Sequence, residues 1–135
     1  MKRYDLTVAV TAHNEGLVAH KTMRSILEAT KRLEEKKISY EILIHIDNGD
    51  QITKDYFKRY AKMPNVVIYE NNFGDPGPSR NFLAQKASGE YLTFLDGDDL
   101  ISDNWLVVAY GALIGATEEV IVHPEGILTF GTEVN

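Results

Sequence analysis

Four short stretches of the chain are almost uninterrupted in apolar and β-branched residues: Tyr4–Thr11 (YDLTVAVT), Tyr40–Ile46 (YEILIHI), Val66–Tyr69 (VVIY) and Tyr91–Leu95 (YLTFL). Runs this short and continuous predict strands buried on both faces, as in a parallel sheet covered by helices. Between them the period changes. Over Glu15–Lys37, Met23, Ile26, Leu27 and Leu33 fall on one stripe with Lys and Glu elsewhere, which predicts an amphipathic helix. Asp50–Lys62 and Pro78–Ser88 predict two shorter helices, the second opening on proline and closing before Gly89. Asp103–Thr117 predicts another, capped by Ser102 or Asp103. Two last strands, Glu119–Val122 and Ile127–Phe130, flank the turn His123-Pro124-Glu125-Gly126.

The order β-α-β-α-β-α-β-α-β-β predicts an α/β fold: a doubly wound, mainly parallel sheet with helices on both faces. No repeat, low-complexity tract or linker interrupts residues 1–135, so a single domain is expected. With 135 residues, 44% of them hydrophobic, the chain can bury a core and is not disordered. The lack of cysteine excludes a disulfide scaffold, thiolate catalysis and Cys-type metal sites. Net charge is −6, from 20 acidic against 14 basic residues, and basic residues such as Lys31, Arg32, Lys36 and Lys37 lie in a helical stretch. With no basic stripe to neutralise phosphates, nucleic acid is not an expected partner. No apolar run approaches the roughly 20 residues that span a bilayer. The start, MKRYDLTVAV, does not read as a signal peptide. The expected compartment is cytoplasmic, with peripheral membrane attachment left open for a longer protein.

Six of the nine aspartates fall in loops after predicted strands: Asp47 and Asp50 after the second, Asp75 after the third, and Asp96, Asp98 and Asp99 after the fourth. Ligands of open α/β sheets bind outside the carboxyl ends of the strands, so these charges surround the expected crevice. Asp50 and Asp75 are accounted for as turn or N-cap residues, and Asp47 in part. Asp96-Gly97-Asp98-Asp99 is different, because three neighbouring carboxylates repel one another with no structural gain. A hard divalent cation, Mn²⁺ or Mg²⁺, would neutralise them and bridge to an anionic diphosphate. Gly97 suits a tight turn there. An EF-hand starting at Asp96 fails, because Ile101 and Val107 stand where glycine and glutamate are needed. A phosphoaspartate hydrolase fails too, because Thr11-Ala12-His13-Asn14 ends the first strand.

Taken in order, the motifs resemble family 2 glycosyltransferases of the GT-A, Rossmann-like fold. Val10-Thr11-Ala12-His13-Asn14-Glu15-Gly16 is similar to the family's first-strand motif. Glu41-Ile42-Leu43-Ile44-His45-Ile46-Asp47-Asn48-Gly49 is similar to its second-strand motif. Asn72-Phe73-Gly74, Ser79-Arg80-Asn81, Ala87-Ser88-Gly89-Glu90-Tyr91 and Phe94-Leu95-Asp96-Gly97-Asp98-Asp99 follow the family's later block in order and spacing. A lone D-x-D is a weak signal, whereas motifs in register on successive predicted strands are a strong one. The resemblance covers roughly residues 4–110.

It implies roles residue by residue. Asp98 would contact the metal, and Asp96 the ribose or a metal-bound water, with Asp99 in support. Asp47 would accept from the base ring N–H, and Thr11 would floor the nucleoside pocket. His13 stands where the family often stacks a tyrosine on the base. The Arg80 fork would donate to base or phosphate oxygens. Glu15 is either part of the nucleotide site or a dipole partner in the first helical turn. His45 reads as a core histidine, His20 as a helix-surface residue, His123 as a turn residue or a third metal ligand, and Trp105 and Tyr110 as helix-to-sheet packing.

The family's second half supplies the acceptor site and the general base. Glu118, Glu119, Glu125 and Glu133 match no such motif, so no catalytic base is assigned. The expectation is a donor-binding half that binds a nucleotide-sugar, UDP-sugar by family precedent, better than it turns it over. Its partner would be a glycan, lipid or protein acceptor. The alternatives are a non-catalytic nucleotide-sugar binding module and a nucleotidyltransferase. The second lacks support, because His13-Asn14-Glu15-Gly16 has one glycine and no Lys or Arg to hold a triphosphate.

Overall fold

The computed structural model describes residues 3–116. Four parallel strands, β1 (Tyr4–Ala12), β2 (Tyr40–Asp47), β3 (Val66–Asn71) and β4 (Gly89–Asp96), lie in the order β3-β2-β1-β4. Four α-helices connect or follow them: α1 (Ala19–Glu35), α2 (Gln51–Lys58), α3 (Pro76–Lys86) and α4 (Trp105–Ile114). The chain winds outward from β1 through β2 to β3, then returns to place β4 on the other side of β1. That reversal is the switch point of a doubly wound sheet. The expected strands Glu119–Val122 and Ile127–Phe130, with His123 and the four later glutamates, lie outside the described residues.

Strand geometry sorts the two central strands into two faces. Leu6, Val8, Val10 and Ala12 of β1 and Ile42, Ile44 and Ile46 of β2 join the larger core. Ala19, Met23, Ile26, Ala29 and Leu33 cover it from α1, with Tyr56 and Phe57 from α2 and Leu106 from α4. Ala9 and Leu43 point the other way, against Leu83 of α3. This second face is narrower, and it also buries the polar side chains Thr7, Thr11, Glu41 and His45. Burial on both faces holds for β1 and β2 but not for β3 and β4, which contain intermediate and exposed positions. Among the described strands those two form the edges of the sheet.

Helix boundaries differ from the expected ones for local reasons. Residues Gly16–Val18 form a 3₁₀ turn, and α1 begins only at Ala19. It ends at Glu35, where Lys37 takes a left-handed φ of 59° and the Ile38 N–H returns to the Leu33 carbonyl at 2.9 Å. The α3 helix starts at Pro76, because Asp75 caps it by accepting from the Gly77 N–H at 2.9 Å. The first residue of α4 is Trp105, and neither Ser102 nor Asp103 caps it. Ser102 donates to the Asn104 side chain, while Asp103 pairs with Arg32 on α1. Trp105 is partly buried against the larger core, and Tyr110 meets Tyr91 edge-on, so both are packing residues.

Candidate functional site

The carboxyl ends of β1 and β4 meet at the switch point, where Thr11 and Asp96 are register partners. The Thr11 hydroxyl donates to Asp96 Oδ1 at 2.9 Å, and Arg80 Nη2 reaches the same oxygen at 3.3 Å. Arg80 comes from α3, on the narrow face of the sheet, so three elements converge on one carboxylate. The turn after β4 is held by reciprocal bonds. Asp99 accepts from the Asp96 N–H at 2.8 Å, and the Asp99 N–H donates to the Asp96 carbonyl at 3.0 Å. Each aspartate of the run offers a carboxylate oxygen, and those three oxygens lie within 4.8 Å of one another. Asp96 is half-buried, whereas Asp98 and Asp99 are exposed.

The donor set suits a hard divalent cation. Carboxylate oxygens are its preferred ligands, and exposure leaves room for the waters and phosphate oxygens that complete its shell. Asp98 has no described hydrogen-bond donor, and Asp96 Oδ2 is likewise uncommitted. Gly97 is buried in this turn, and a Cβ on it would lie 3.0 Å from the Glu15 carboxyl carbon. The glycine thus admits Glu15 as well as the turn.

Glu15 is not in the first turn of α1, since that helix starts four residues later. Its carboxylate accepts from the His13 N–H at 2.6 Å, folding the loop after β1 back on itself. His13 Nδ1 lies 2.6 Å from the Asp47 carbonyl, so Nδ1 carries the proton and Nε2 faces Asn14. Asn14 accepts from the Asp50 N–H at 2.8 Å, and Asp50 caps α2 through the Thr53 N–H at 2.9 Å. Hydrogen bonds from Thr53, side chain and then backbone, hold the Asp50 carboxyl below its ordinary range. Nothing in the sequence beyond its place in the first-strand motif marks Asn14 for this bond to Asp50.

Asp47 ends β2, and its carboxylate accepts from the backbone of the loop after β3. The Phe73 N–H donates to Oδ1 at 2.5 Å and the Gly74 N–H to Oδ2 at 3.0 Å. Gly74 has φ of 77°, a conformation that favours glycine. Two carboxylate oxygens have about four acceptor directions, so Asp47 retains capacity for another donor. His45 is a core histidine, as expected, while His20 sits on the α1 surface with Nδ1 3.1 Å from the Tyr56 hydroxyl. The structure therefore gathers Thr11, Arg80, Asp96, Asp98 and Asp99 at the carboxyl ends of β1 and β4, and His13, Glu15 and Asp47 along the adjoining loops.

A parallel α/β sheet with these loops at its switch point has the architecture expected of a GT-A domain. The chain belongs to glycosyl transferase family 2, whose profile matches residues 7–124. It is 32% identical over 104 residues to the minor teichoic acid biosynthesis protein GgaB of Bacillus subtilis (strain 168), covering 74% of this chain and 11% of that protein. It is 27% identical over 133 residues to the poly(ribitol-phosphate) beta-N-acetylglucosaminyltransferase TarP of Staphylococcus aureus (strain N315), covering 96% of this chain and 39% of TarP. The chain thus spans 11% of one relative's length and 39% of the other's.

The fold is shared with S. aureus TarS in complex with UDP-GlcNAc, with a TM-score of 0.68 and 23% identity over 85% of this chain and 32% of TarS. It is also shared with a mannosyltransferase of Pyrobaculum calidifontis in complex with GDP-Man and Mn²⁺, with a TM-score of 0.69 and 20% identity. That match covers 84% of this chain and 33% of the mannosyltransferase. No helix among the described residues is long and apolar enough to cross a membrane.

Proposed function

We propose that this chain is the donor-binding portion of a glycosyltransferase that takes a nucleoside diphosphate sugar with a divalent cation. The observation that carries this reading is the Thr11–Asp96–Arg80 junction, with Asp98 and Asp99 beside it and Asp47 at the end of the neighbouring strand. These groups lie together at the carboxyl ends of β1, β2 and β4, where an arginine, an acidic cluster and a strand-end carboxylate suit a phosphate, a cation and a base.

In this reading Asp47 accepts from the base ring N–H while Phe73 and Gly74 hold its carboxylate. Thr11 floors the nucleoside pocket and orients Asp96 toward the ribose or a metal-bound water. The His13 ring stacks on the base, and Glu15 holds the loop that carries it. Asp98 and Asp96 would hold Mn²⁺ or Mg²⁺, which supplies Lewis-acid neutralisation of the diphosphate when bound. Arg80 keeps further N–H groups beside the one on Asp96, and these would donate to phosphate oxygens as negative charge grows on them. The reaction is attack of an acceptor hydroxyl on the anomeric carbon. The bond to the diphosphate breaks with its electron pair leaving on oxygen, and the hydroxyl proton passes to a base supplied outside the described residues. The TarS complex supports uridine as the base, and the name of the Staphylococcus relative TarP supports a poly(ribitol-phosphate) polymer as acceptor.

Thermal denaturation tests the donor reading, using UDP, GDP, CDP, ADP and dTDP, each with Mn²⁺ and with chelator. A ligand at about a hundred times its dissociation constant stabilises by roughly 2.7 kcal/mol, which raises the midpoint by several degrees. The expected result is a metal-dependent rise for UDP and smaller rises for the others. No rise for any nucleotide would sink the reading. Nucleotide binding by a longer chain that transfers nothing to any acceptor would favour a binding module.

Arg80→Ala separates site from scaffold. Both members of the Arg80–Asp96 pair are about half exposed, so its loss costs under about 1 kcal/mol of stability. Calorimetry should nevertheless show nucleoside diphosphate binding weakened roughly ten- to hundredfold, the usual scale for a hydrogen bond to a charged group. An affinity equal to that of the parent would remove Arg80 from the site.

A further inference from the structure

His45 is fully buried, yet only half of its imidazole is satisfied. Nε2 lies 2.9 Å from Asn71 Oδ1, which can only accept, so Nε2 carries the proton. Nδ1 then presents a lone pair, and it is buried without a partner among the described residues. An aliphatic residue would fill this strand position without that cost, so the ring calls for another account.

Its surroundings supply one. His45 is the register partner of both Thr11 and Tyr69, and Thr11 in turn pairs with Asp96. One row thus crosses the sheet from β3 to the acidic turn. The imidazole lies parallel to the Phe73 ring, with centroids 5.3 Å apart and planes 6° from each other, and meets Phe82 of α3 at 5.2 Å. Two residues along the same strand, on the same side, Asp47 accepts from the backbone N–H groups of Phe73 and Gly74. The segment from Asn71 to Gly74 is therefore held twice by β2: by the His45 ring at Asn71 and Phe73, and by the Asp47 carboxylate at two amides.

We propose that His45 is a positioning residue for recognition of the donor's base, acting through Asn71 and Phe73 to set where Asp47 directs its remaining acceptor capacity. The proposal rests on the donor-site reading above. Two features of the ring are used although Nδ1 is not: the Nε2 proton fixes the Asn71 side chain, and the flat face fixes Phe73. Phenylalanine keeps the face and loses the proton; glutamine keeps a donor and loses the face.

The test uses His45→Phe, His45→Gln and Phe73→Leu, the last on a side of the loop that is exposed, so that one variant folds whatever happens in the core. In the ligand-free protein, amide exchange at Phe73 and Gly74 is expected to accelerate roughly tenfold, with the exchange of central β1 amides unchanged. Calorimetry is then expected to show UDP binding weakened roughly three- to tenfold and the preference for UDP over CDP and GDP reduced, the scale of one aromatic pair or one hydrogen bond. Affinity for Mn²⁺ alone should not move. Unchanged exchange, or unchanged base preference, in the folded variants would overturn the proposal. A parent protein that binds no nucleoside diphosphate would overturn the donor reading and the base-directed role with it, while the exchange result still decides whether His45 holds the loop.

Discussion

Asp98→Asn should uncouple nucleotide binding from the metal. The substitution keeps size and polarity but removes the negative charge from an exposed side chain that no described residue engages. The neighbouring carboxylates are already in use: Asp96 Oδ1 takes Thr11 and Arg80, and Asp99 holds the Asp96 N–H. Asp98 therefore has the largest share of uncommitted charge in the turn. Removing a carboxylate ligand from a hard-cation site should lower affinity for Mn²⁺ by roughly a hundredfold or more, beyond the 10–100-fold cost of disturbing an outer-shell partner. Nucleoside diphosphate affinity measured with Mn²⁺ should fall to the value measured with chelator. The melting temperature without ligand should stay constant or rise slightly, since one of three crowded negative charges is gone. If metal-dependent affinity survives intact, Asp98 is not a ligand.

Gly89→Ala is expected to destabilise the fold severely through a single added methyl. A Cβ at Gly89 would overlap the Thr7 backbone N and lie 2.5 Å from Thr7 Oγ1 and 2.7 Å from the Leu6 carbonyl carbon. These atoms belong to the central strand and cannot swing aside as a surface side chain does. The Gly89 N–H also donates to Thr7 Oγ1 at 2.8 Å, and the Thr7 hydroxyl donates to the buried Glu41 carboxylate at 2.8 Å. Glu41 in turn accepts from the Ser88 N–H at 2.5 Å. Displacing Gly89 therefore opens a buried polar network as well as overpacking the core. Overpacking alone costs about 1–3 kcal/mol and a partnerless buried polar group a similar amount. A loss of about 3 kcal/mol or more should lower the thermal midpoint by at least about 10 °C. A variant melting within 2–3 °C of the parent, on the same scale, would show that β4 shifts freely past β1.

Much of this was legible in the chain because its signals are local. The apolar runs at Tyr40–Ile46 and Tyr4–Thr11 place β2 and β1 within one residue of their observed ends. Pro78 and Gly89 locate α3 to within two residues at each end, and Asp50 and Asp75 are the caps that their positions suggest. The acidic run is visible as a cluster because its members are neighbours in sequence, and the turn at Gly97 keeps their carboxylates close. Boundaries failed where a distant partner decided. Asp103 could have capped α4, but Arg32 of α1, 71 residues away, claims it. Glu15 could have served a helix dipole, but the 3₁₀ turn carries it to His13 and Gly97 instead.

Through the described residues, the sequence by itself determined the element order, the parallel α/β class and the crowding of carboxylates after the fourth strand, because periodicity and local charge act over a few residues. Only the tertiary structure decided which of those groups meet. Thr11 and Asp96 are 85 residues apart and become bonded because β4 returns to the far side of β1. His45 meets Asn71 and Phe73 because β2 and β3 pair in a register no local signal specifies. The alternating side-chain direction of strands turns that register into a site: a slip of one residue would send Thr11, His45 and Asp47 to the opposite face of the sheet.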